Sequence, residues 1–251
     1  MCLIVFAWRP DHIQPLVVAA NRDEFHARPS LPLGRWKDAP WIIAGRDLQA
    51  GGTWMGITTR GRFAALTNIR APGQPIGLRS RGELPEQYLR GELSPAEYLA
   101  ELAARRSDYA GFNLLVGDAQ SLWHLNSHSG EAKPLRAGVY GLSNAGLDTP
   151  WPKLRKARAA LADELDQPDT ERLLALLADP RPAAEHELPQ TGVSLEWERR
   201  LSSIFIASPE YGTRASTALI RHADDTLEIL ERSFGPHGPL SEVRYRHPPR
   251  N

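Results

Sequence analysis

A chain of 251 residues, 41% of them hydrophobic, can bury a substantial core, and we predict a single domain over residues 1–251. Thirty basic residues balance thirty acidic ones, so the sequence lacks the basic excess of nucleic-acid-binding proteins and of polybasic membrane anchors. No apolar run approaches the roughly 18 residues that a membrane-spanning helix needs, so we expect no membrane span.

The first two predicted strands form a hairpin. Cys2–Trp8 is apolar, β-branched and aromatic, which is typical of a buried strand. No basic region precedes it and polar residues follow at once, so it does not match a secretory signal and we expect a cytoplasmic protein. A turn over Arg9–Gln14 leads into a return strand, Pro15–Ala20. We predict that this strand ends in Asn21–Glu24, which brings that motif back near Cys2.

Strands dominate the next part of the chain, and helices follow. Trp41–Ala44 is a short apolar strand, and Gly51–Arg70 divides into two strands at the turn of Arg60 and Gly61. Ser94-Pro95-Ala96-Glu97 supplies an N-cap, a first-turn proline and a carboxylate three residues after the cap. This combination predicts the start of a helix.

The second half of the chain repeats this alternation of strands and helices. Strands are predicted at Phe112–Val116, Ser121–Leu125, Val139–Ser143, Ser203–Ala207, Thr217–Arg221 and Thr226–Glu231. Helices are predicted from Thr149 to about Leu165 and over Thr170–Leu177, followed by a proline-rich loop over Asp179–Pro189. Strand blocks that alternate with helix blocks predict an α+β fold in which helices cover antiparallel sheets.

Cys2 is the only cysteine, so neither an internal disulfide nor a multi-cysteine zinc site can form. It fits a buried structural residue at the start of a strand, because free cysteine packs as a small hydrophobe. It also fits a nucleophile, because methionine aminopeptidase removes Met1 when the second residue is small. Cys2 would then carry a thiol and a free α-amine, whose ordinary pKa of about 7.7–8.0 suits it to accept the thiol proton.

Such a site needs a group that orients the amine, donors for an oxyanion and a cation near the thiol. Side chains alternate along a strand, so Asn21 and Asp23 face one side, and Arg22 and Glu24 the other, unless the strand ends or bulges there. We predict Asp23 as the partner of the amine and Asn21 beside it as a substrate-binding residue. Arg22 would reach the thiol or brace the loop. A polar surface turn is the alternative for all four.

Four further residues are candidates for the same site. Asn68 and Asn144 each follow an apolar strand, where asparagine commonly makes a turn but where its amide can also donate to an oxyanion. Arg214 precedes a strand and would bind a carboxylate or hold Asp23; a solvated surface charge is the alternative. Trp54 would line a pocket above the nucleophile or pack in the core.

Five stretches together resemble one family: MC at the start, AANRDEFHARP, GGTWMGITTRGRFAALTN, GLSNAGLDTPWPK and YGTRASTALI. They are similar to the NRDE family, also called the transport and Golgi organisation family, from Met1 to about Glu231. The resemblance implies an N-terminal-nucleophile (Ntn) hydrolase-like fold. This is a four-layer αββα sandwich, in which two antiparallel sheets pack face to face between helical layers.

More remotely, the chain resembles the cysteine hydrolases that include bile-salt hydrolases and penicillin V acylases, which cleave amides with an N-terminal cysteine. This likeness implies a role for each of four residues: nucleophile for Cys2, aspartate for Asp23, oxyanion asparagine for Asn144 and later arginine for Arg214. One position departs from the acylase pattern. The first arginine of the acylases lies three residues before the aspartate, where this chain has Ala20, whereas Arg22 adjoins Asp23.

Two functions remain open. In the first, Cys2 attacks the amide or thioester carbonyl of a small acylated substrate, an acyl-enzyme forms and is hydrolysed, and no cofactor is required. In the second, the same fold binds haem or an acyl-CoA or lipid without catalysis, because family members are implicated in haem trafficking and in acyl-CoA and lipid metabolism.

Sequence motifs for a ligand or metal are lacking. Haem would need an axial ligand, either Cys2 or a histidine, and no histidine belongs to a clear motif. The histidines are His12, His26, His124, His128, His186, His222, His237 and His247. The chain has no P-loop, no G-x-G-x-x-G and no H-E-x-x-H, so we predict no metal site and no nucleotide site of those kinds. The sequence predicts no oligomeric state.

Overall fold

The structure is a computed structural model that describes residues 2–73 and 77–248; Met1, and with it the question of its removal, lies outside the described residues. The strands are β1 (Cys2–Trp8), β2 (Leu16–Phe25), β3 (Ser30–Trp36), β4 (Ala39–Asp47), β5 (Met55–Thr58), β6 (Phe63–Asn68), β7 (Phe112–Gly117), β8 (Leu122–Asn126), β9 (Glu131–Pro134), β10 (Gly138–Leu142), β11 (Tyr211–Arg221), β12 (Leu227–Gly235) and β13 (Gly238–His247). The helices are α1 (Glu83–Arg90), α2 (Pro95–Ala103), α3 (Pro152–Asp163), α4 (Thr170–Ala175) and α5 (Leu195–Leu201).

The strands build two antiparallel sheets. Sheet A has six strands in the order β10-β1-β2-β11-β12-β13, and sheet B has seven in the order β3-β4-β5-β6-β7-β8-β9. Sheet B is a meander, because each strand pairs with its neighbours in the sequence. In sheet A, the first strand of the chain lies between β10 and β2. The start of the described chain is therefore held inside a sheet and not at its edge.

Helices cover the outer face of each sheet. Residues such as Phe6 on one face of β1 pack against Ile57 and other sheet B residues between the two sheets. Val5, on the opposite face of β1, packs with Leu154 of α3. Helices α1 and α2 cover the outer face of sheet B. The layers run helix, sheet A, sheet B, helix, so the predicted α+β fold and its αββα sandwich are confirmed. Because both faces of β1 are buried, its sequence is a continuous apolar run.

Several predicted elements appear where the local signals placed them. Ser94 caps α2, because its hydroxyl accepts from the N–H of Glu97 while the Glu97 carboxylate accepts from the N–H of Ser94. The Gly51–Arg70 stretch forms β5 and β6 on either side of the predicted turn. None of the helices within the described ranges is long and apolar enough to cross a membrane.

Two predictions about strands were wrong. Strand β2 does not end within Asn21–Glu24, as predicted, but runs through this motif to Phe25, because β11 pairs with it along its length. Ser203–Ala207 is not a strand: the N–H of Phe205 donates to Asp179 and that of Ile206 to the Thr213 hydroxyl. Its alternating apolar residues reflect burial, not pairing in a sheet. The sequence analysis also missed three strands and two helices: β3, β9, β13, α1 and α5.

Candidate functional site

Cys2 and Arg22 project from the same face of sheet A. They lie directly opposite each other in the antiparallel pair of β1 and β2. Cys2 is 8% exposed, and burial raises the pKa of its thiol; the nearby Asp23 adds to this effect and Arg22 opposes it. A thiol whose pKa is raised stays protonated until a base removes its proton.

The space in front of Cys2 is a cavity of about 350 Å³. Its wall comes from the ends of β1, β2 and β6, from residues 50–54 and from residues 77–82. Four arginines and three carboxylates share this wall, so the cavity is strongly polar. They are Arg22, Arg28, Arg79 and Arg81, and Asp23, Glu24 and Asp47.

Arg22 is fixed in this wall by an aromatic ring and a carboxylate. Its guanidinium lies 4.3 Å from the ring centroid of Trp54, and its Nη2 lies 3.7 Å from Oδ2 of Asp47. The same Asp47 oxygen accepts a 2.6 Å hydrogen bond from Nε of Arg28. Gly45 leaves room for the Trp54 ring, because a side chain there would overlap it. The structure thus places Trp54 in the wall of the cavity that Cys2 lines.

Asp23 and Asn21 project from the other face of β2. Oδ1 of Asp23 accepts a 2.8 Å hydrogen bond from the Thr213 hydroxyl. Burial raises the pKa of Asp23, and Lys153 is the first of the groups that oppose this. Asp23 also reaches the wall of the cavity, because it lies near the end of the strand pair. It is therefore buried and close to the first described residue of β1.

Asn21 is placed away from the cavity. Its Nδ2 donates to the carbonyls of Leu177 at 3.0 Å and Ile204 at 2.8 Å, and its Oδ1 accepts from Ser216 at 2.6 Å. All of these contacts lie in the protein interior. Asn21 therefore ties β2 to the segments after α4 and α5 and does not line the cavity in front of Cys2, where a substrate-binding residue was expected.

Asn68 and Asn144 are in contact, but their side chains have different surroundings. Nδ2 of Asn144 donates at 2.9 Å to the main-chain carbonyl of Asn68. The Asn144 oxygen accepts from the Ser143 hydroxyl at 3.3 Å, and that hydroxyl lies 3.2 Å from the Cys2 carbonyl. Asn68 lines the cavity, and within the described chain its side-chain amide has no hydrogen-bond partner. Asn144 thus holds the main chain at Asn68, while the Asn68 side chain lines the cavity.

The structure does not bring Arg214 to Cys2. Arg214 lies at a bulge in β11, between Thr213 and Ala215, where the register shifts. Its guanidinium donates to the carbonyls of Phe25, His26, Arg28 and Phe234 at 2.9 to 3.3 Å. It lines a smaller cavity of about 120 Å³ on the far side of Arg22 and Trp54. Arg214 braces the chain that leaves the end of β2.

Two charged residues of this region, Arg81 and Lys153, were not predicted from the sequence. Arg81 lines the cavity, where burial lowers its pKa and its Nη1 donates at 3.0 Å to the Gly111 carbonyl. Lys153, in the first turn of α3, is buried, and burial lowers its pKa to about 8. A signal for Lys153 existed, because a cation in the first turn of a helix is unfavourable. For Arg81 the sequence offered none.

No metal or haem ligand set is evident in the residues that the structure describes. Among them, no group of three histidine, cysteine, aspartate or glutamate side chains could hold a metal ion. The described wall of the cavity contains no histidine. The sequence offered Cys2 and the histidines as axial ligands for haem. Of these, only Cys2 is found in the described wall of the cavity.

This four-layer sandwich is an Ntn-hydrolase-like fold, and solved structures agree. The chain is similar to a Caenorhabditis elegans N-acylethanolamine-hydrolyzing acid amidase ortholog, with a TM-score of 0.52, 12% identity and coverage of 87% of this chain and 92% of that chain. It is also similar to the C2A mutant of a conjugated bile acid hydrolase from Clostridium perfringens, with a TM-score of 0.55, 6% identity and coverage of 99% and 97%. At these identities the likeness shows the fold.

Sequence comparison identifies the family within this class. The sequence profile of the Transport and Golgi organisation 2 family matches residues 1–236. The Transport and Golgi organization protein 2 homologs of Bos taurus and Homo sapiens are 32% and 33% identical over 261 and 257 residues, with 93% of each chain covered. The Drosophila melanogaster protein is 26% identical over 274 residues. The chain belongs to the Transport and Golgi organisation 2 family, as its motifs indicated.

Proposed function

We propose that this chain is a cysteine hydrolase that cleaves an amide or thioester bond of a small acylated substrate, with Cys2 as the nucleophile once Met1 has been removed. The observation that carries the proposal is the position of Cys2, which lines a cavity of about 350 Å³ opposite Arg22, with Asp23 and Asn68 in the same wall. A cavity of this size suits a small ligand. Both structural neighbours are named as hydrolases, one of N-acylethanolamines and one of conjugated bile acids.

The first step needs a base, because burial raises the pKa of the Cys2 thiol. The free α-amine of the same residue takes the thiol proton and becomes an ammonium, which Asp23 orients. The sulfur lone pair forms a bond to the carbonyl carbon, and the π electrons of the carbonyl move to its oxygen. Nucleophile and base are then two groups of one residue.

The side-chain amide of Asn68 donates to the negative oxygen that forms in this step. This assignment follows from its place in the cavity wall and from its unused N–H groups. Asn144 acts on Asn68 through the main-chain carbonyl that it binds, so it is a positioning residue. Removal of one oxyanion donor typically lowers kcat by about 10²–10³-fold.

The remaining steps release both products. The tetrahedral intermediate collapses, the bond to the leaving nitrogen or sulfur breaks, and the ammonium gives that atom its proton. The acyl group remains on Cys2 as a thioester. Water then attacks this thioester while the amine accepts a proton from the water. The carbon–sulfur bond breaks, the acid leaves, and the thiol regains its proton.

A binding role on the same fold is the second candidate, for haem or for an acyl-CoA or lipid. One observation favours it: the Cys2 thiol is buried and its pKa is raised. If Met1 were retained, the nitrogen of Cys2 would be a peptide amide, which cannot act as the base. Cys2 would then be an unreactive thiol that can serve only as a contact or a ligand.

The decisive experiment combines an intact mass with a substrate screen. We expect protein purified from its native host to have lost the mass of one methionine. We expect wild-type protein to turn over a member of an amide and thioester panel, and Cys2→Ala to lose this turnover with an unchanged circular dichroism spectrum. Retained Met1, or undiminished turnover by Cys2→Ala, contradicts the proposal. A Soret shift on haem titration that needs Cys2 but leads to no turnover supports the second candidate.

A further inference from the structure

Lys153 is a buried charge that the reaction described above does not use. It is 4% exposed, and among the described residues its Nζ has no hydrogen-bond partner. It is also the second residue of α3, where the partial positive charge of the helix terminus disfavours a cation, and the first turn has no acidic residue. A buried ammonium in such a place is costly, so the fold must contain a charge that compensates for it.

That charge is on Asp23. Helix α3 packs against the face of sheet A from which Asp23 projects, beside the start of β1. Asp23 attracts the Lys153 ammonium more strongly than Cys2 does, and Arg70 repels it. Lys153 is in turn the cation that most favours the ionised form of Asp23, ahead of Arg22 on the other face of β2.

Arg70 and Tyr211, which lie in the same region, have partners of their own. Arg70 donates at 2.8 Å to the Glu198 carboxylate, and its guanidinium lies 4.8 Å from the ring centroid of Trp151. The Tyr211 hydroxyl donates to the Asp23 carbonyl, and burial raises the tyrosine pKa, so this group stays neutral. The packing of α3 on sheet A thus brings two opposite charges together beside the start of β1: the Lys153 ammonium and the Asp23 carboxylate.

We propose that Lys153 is a positioning residue for the Cys2 amine: its ammonium compensates for the Asp23 carboxylate, which then orients the amine without drawing a proton onto it. This inference rests on the free amine of the proposed function. An ordinary α-amine binds a proton about four pH units more tightly than an aspartate does. Without Lys153, the extra proton that buried Asp23 attracts would therefore go to the amine, and a protonated amine cannot take the thiol proton.

A single labelled nitrogen tests the inference without a substrate. Because Cys2 is the only cysteine, growth on [¹⁵N]cysteine labels one backbone nitrogen of the chain. Its ¹⁵N chemical shift distinguishes an amide, which means that Met1 is retained, from an α-amine. An amide signal contradicts the proposed function itself. An amine signal leaves that function intact, and its pH titration then tests Lys153 separately.

We expect Lys153→Met to raise the titration midpoint of the amine by about one pH unit or more, as removal of a close compensating cation should. Lys153→Arg keeps the charge and should keep the wild-type midpoint. Lys156→Met is the matched control, since Lys156 lies on the same helix but is 54% exposed and pairs with Asp179. Equal midpoints for the wild type and a folded Lys153→Met variant would overturn the inference.

The wild-type protein also tests it, in case Lys153→Met does not fold. With Lys153 charged next to it, the buried amine should titrate below its ordinary range of about 7.7–8.0. A wild-type midpoint within or above that range overturns the inference with no variant involved. A purely structural role for Lys153 would change the unfolding of Lys153→Met and leave the amine midpoint where it is.

Discussion

Arg22 lies directly across the β1–β2 pair from Cys2, so the one strand pair that positions the thiol also positions a cation on the same face of the sheet. The guanidinium is held there by the Trp54 ring and by Asp47. Of the side chains near the thiol, Arg22 favours its ionised form, while burial and Asp23 favour the neutral form.

Arg22→Met should raise the pKa of the Cys2 thiol. Loss of the cation removes the side-chain charge that favours the thiolate, so the pH midpoint of alkylation by iodoacetamide should move up by about one unit. Intact mass measures this reaction at a single site, because Cys2 is the only cysteine. Easier access to the cavity would change the plateau rate but not the midpoint. Arg22→Lys keeps the charge and should lie closer to wild type; a midpoint in Arg22→Met that equals wild type argues against the interaction.

The two asparagines should respond differently to removal. Asn144→Ala deletes the donor to the Asn68 carbonyl and leaves that carbonyl without its partner, so it should lower the free energy of unfolding by about 1–3 kcal/mol. Asn68→Ala removes an amide that lines the cavity, and it should change stability by less than about 1 kcal/mol while lowering kcat about 10²-fold or more. Urea unfolding and turnover of the substrate found in the screen separate the two effects. A large loss of kcat in Asn144→Ala with a loss of stability in Asn68→Ala would instead make Asn144 the oxyanion donor and Asn68 the positioning residue.

Local signals predicted much of the fold. The cap at Ser94, the turn at Arg60 and Gly61 and the apolar run of Cys2–Trp8 each depend on a few adjacent residues, and each is where the sequence placed it. β13 could not be found this way, because it is mostly exposed and exists only through pairing with β12. The strand predicted at Ser203–Ala207 is absent for the opposite reason, since Ile204 and Ile206 are buried without pairing in a sheet.

Part of the candidate site was also predictable from local sequence signals. Alternation along β2 correctly separated Arg22 from Asn21 and Asp23. Alternation does not predict which groups each face contacts. Asn21 donates to main-chain carbonyls, and a bulge turns Arg214 toward the end of β2. Lys153 depends on which face of α3 packs on sheet A, which is a tertiary fact and not a local one.

The positive charge of Arg81 in the cavity wall predicts a preference for anionic reagents. The Arg81 guanidinium bonds a neutral carbonyl, so its charge is not cancelled by that partner. A charged cavity concentrates ions of opposite sign. Arg81→Met should therefore slow alkylation by the anion iodoacetate, relative to alkylation by neutral iodoacetamide, by roughly threefold or more. Arg79→Met is the control, since Arg79 already pairs with Glu83. Equal ratios in wild type and Arg81→Met would show that Arg81 does not set the field at Cys2.

Glu231 should make stability depend on pH. It lies on β12 and joins the two sheets, because its carboxylate accepts from the Leu33 N–H of β3 at 2.6 Å and from the Thr217 hydroxyl at 2.9 Å. Burial raises its pKa. Since the folded protein binds this proton more tightly than the unfolded chain does, the group stabilises the fold most below the ordinary glutamate pKa of about 4.3. This stabilisation is lost as the pH rises through the raised value.

Glu231→Gln removes this titration while it keeps an oxygen that can accept from Leu33. The measured quantity is the unfolding free energy of the wild type minus that of Glu231→Gln. It should fall as the pH rises from about 4 and then level off. The total fall should be about 1.4 kcal/mol for each unit by which folding raises the pKa of Glu231. Urea unfolding at pH 4 to 8 measures it. Glu228→Gln, on the same strand but 38% exposed, is the control, because water screens its charge. A difference for Glu231→Gln that rises with pH would mean that the Leu33 and Thr217 hydrogen bonds outweigh burial.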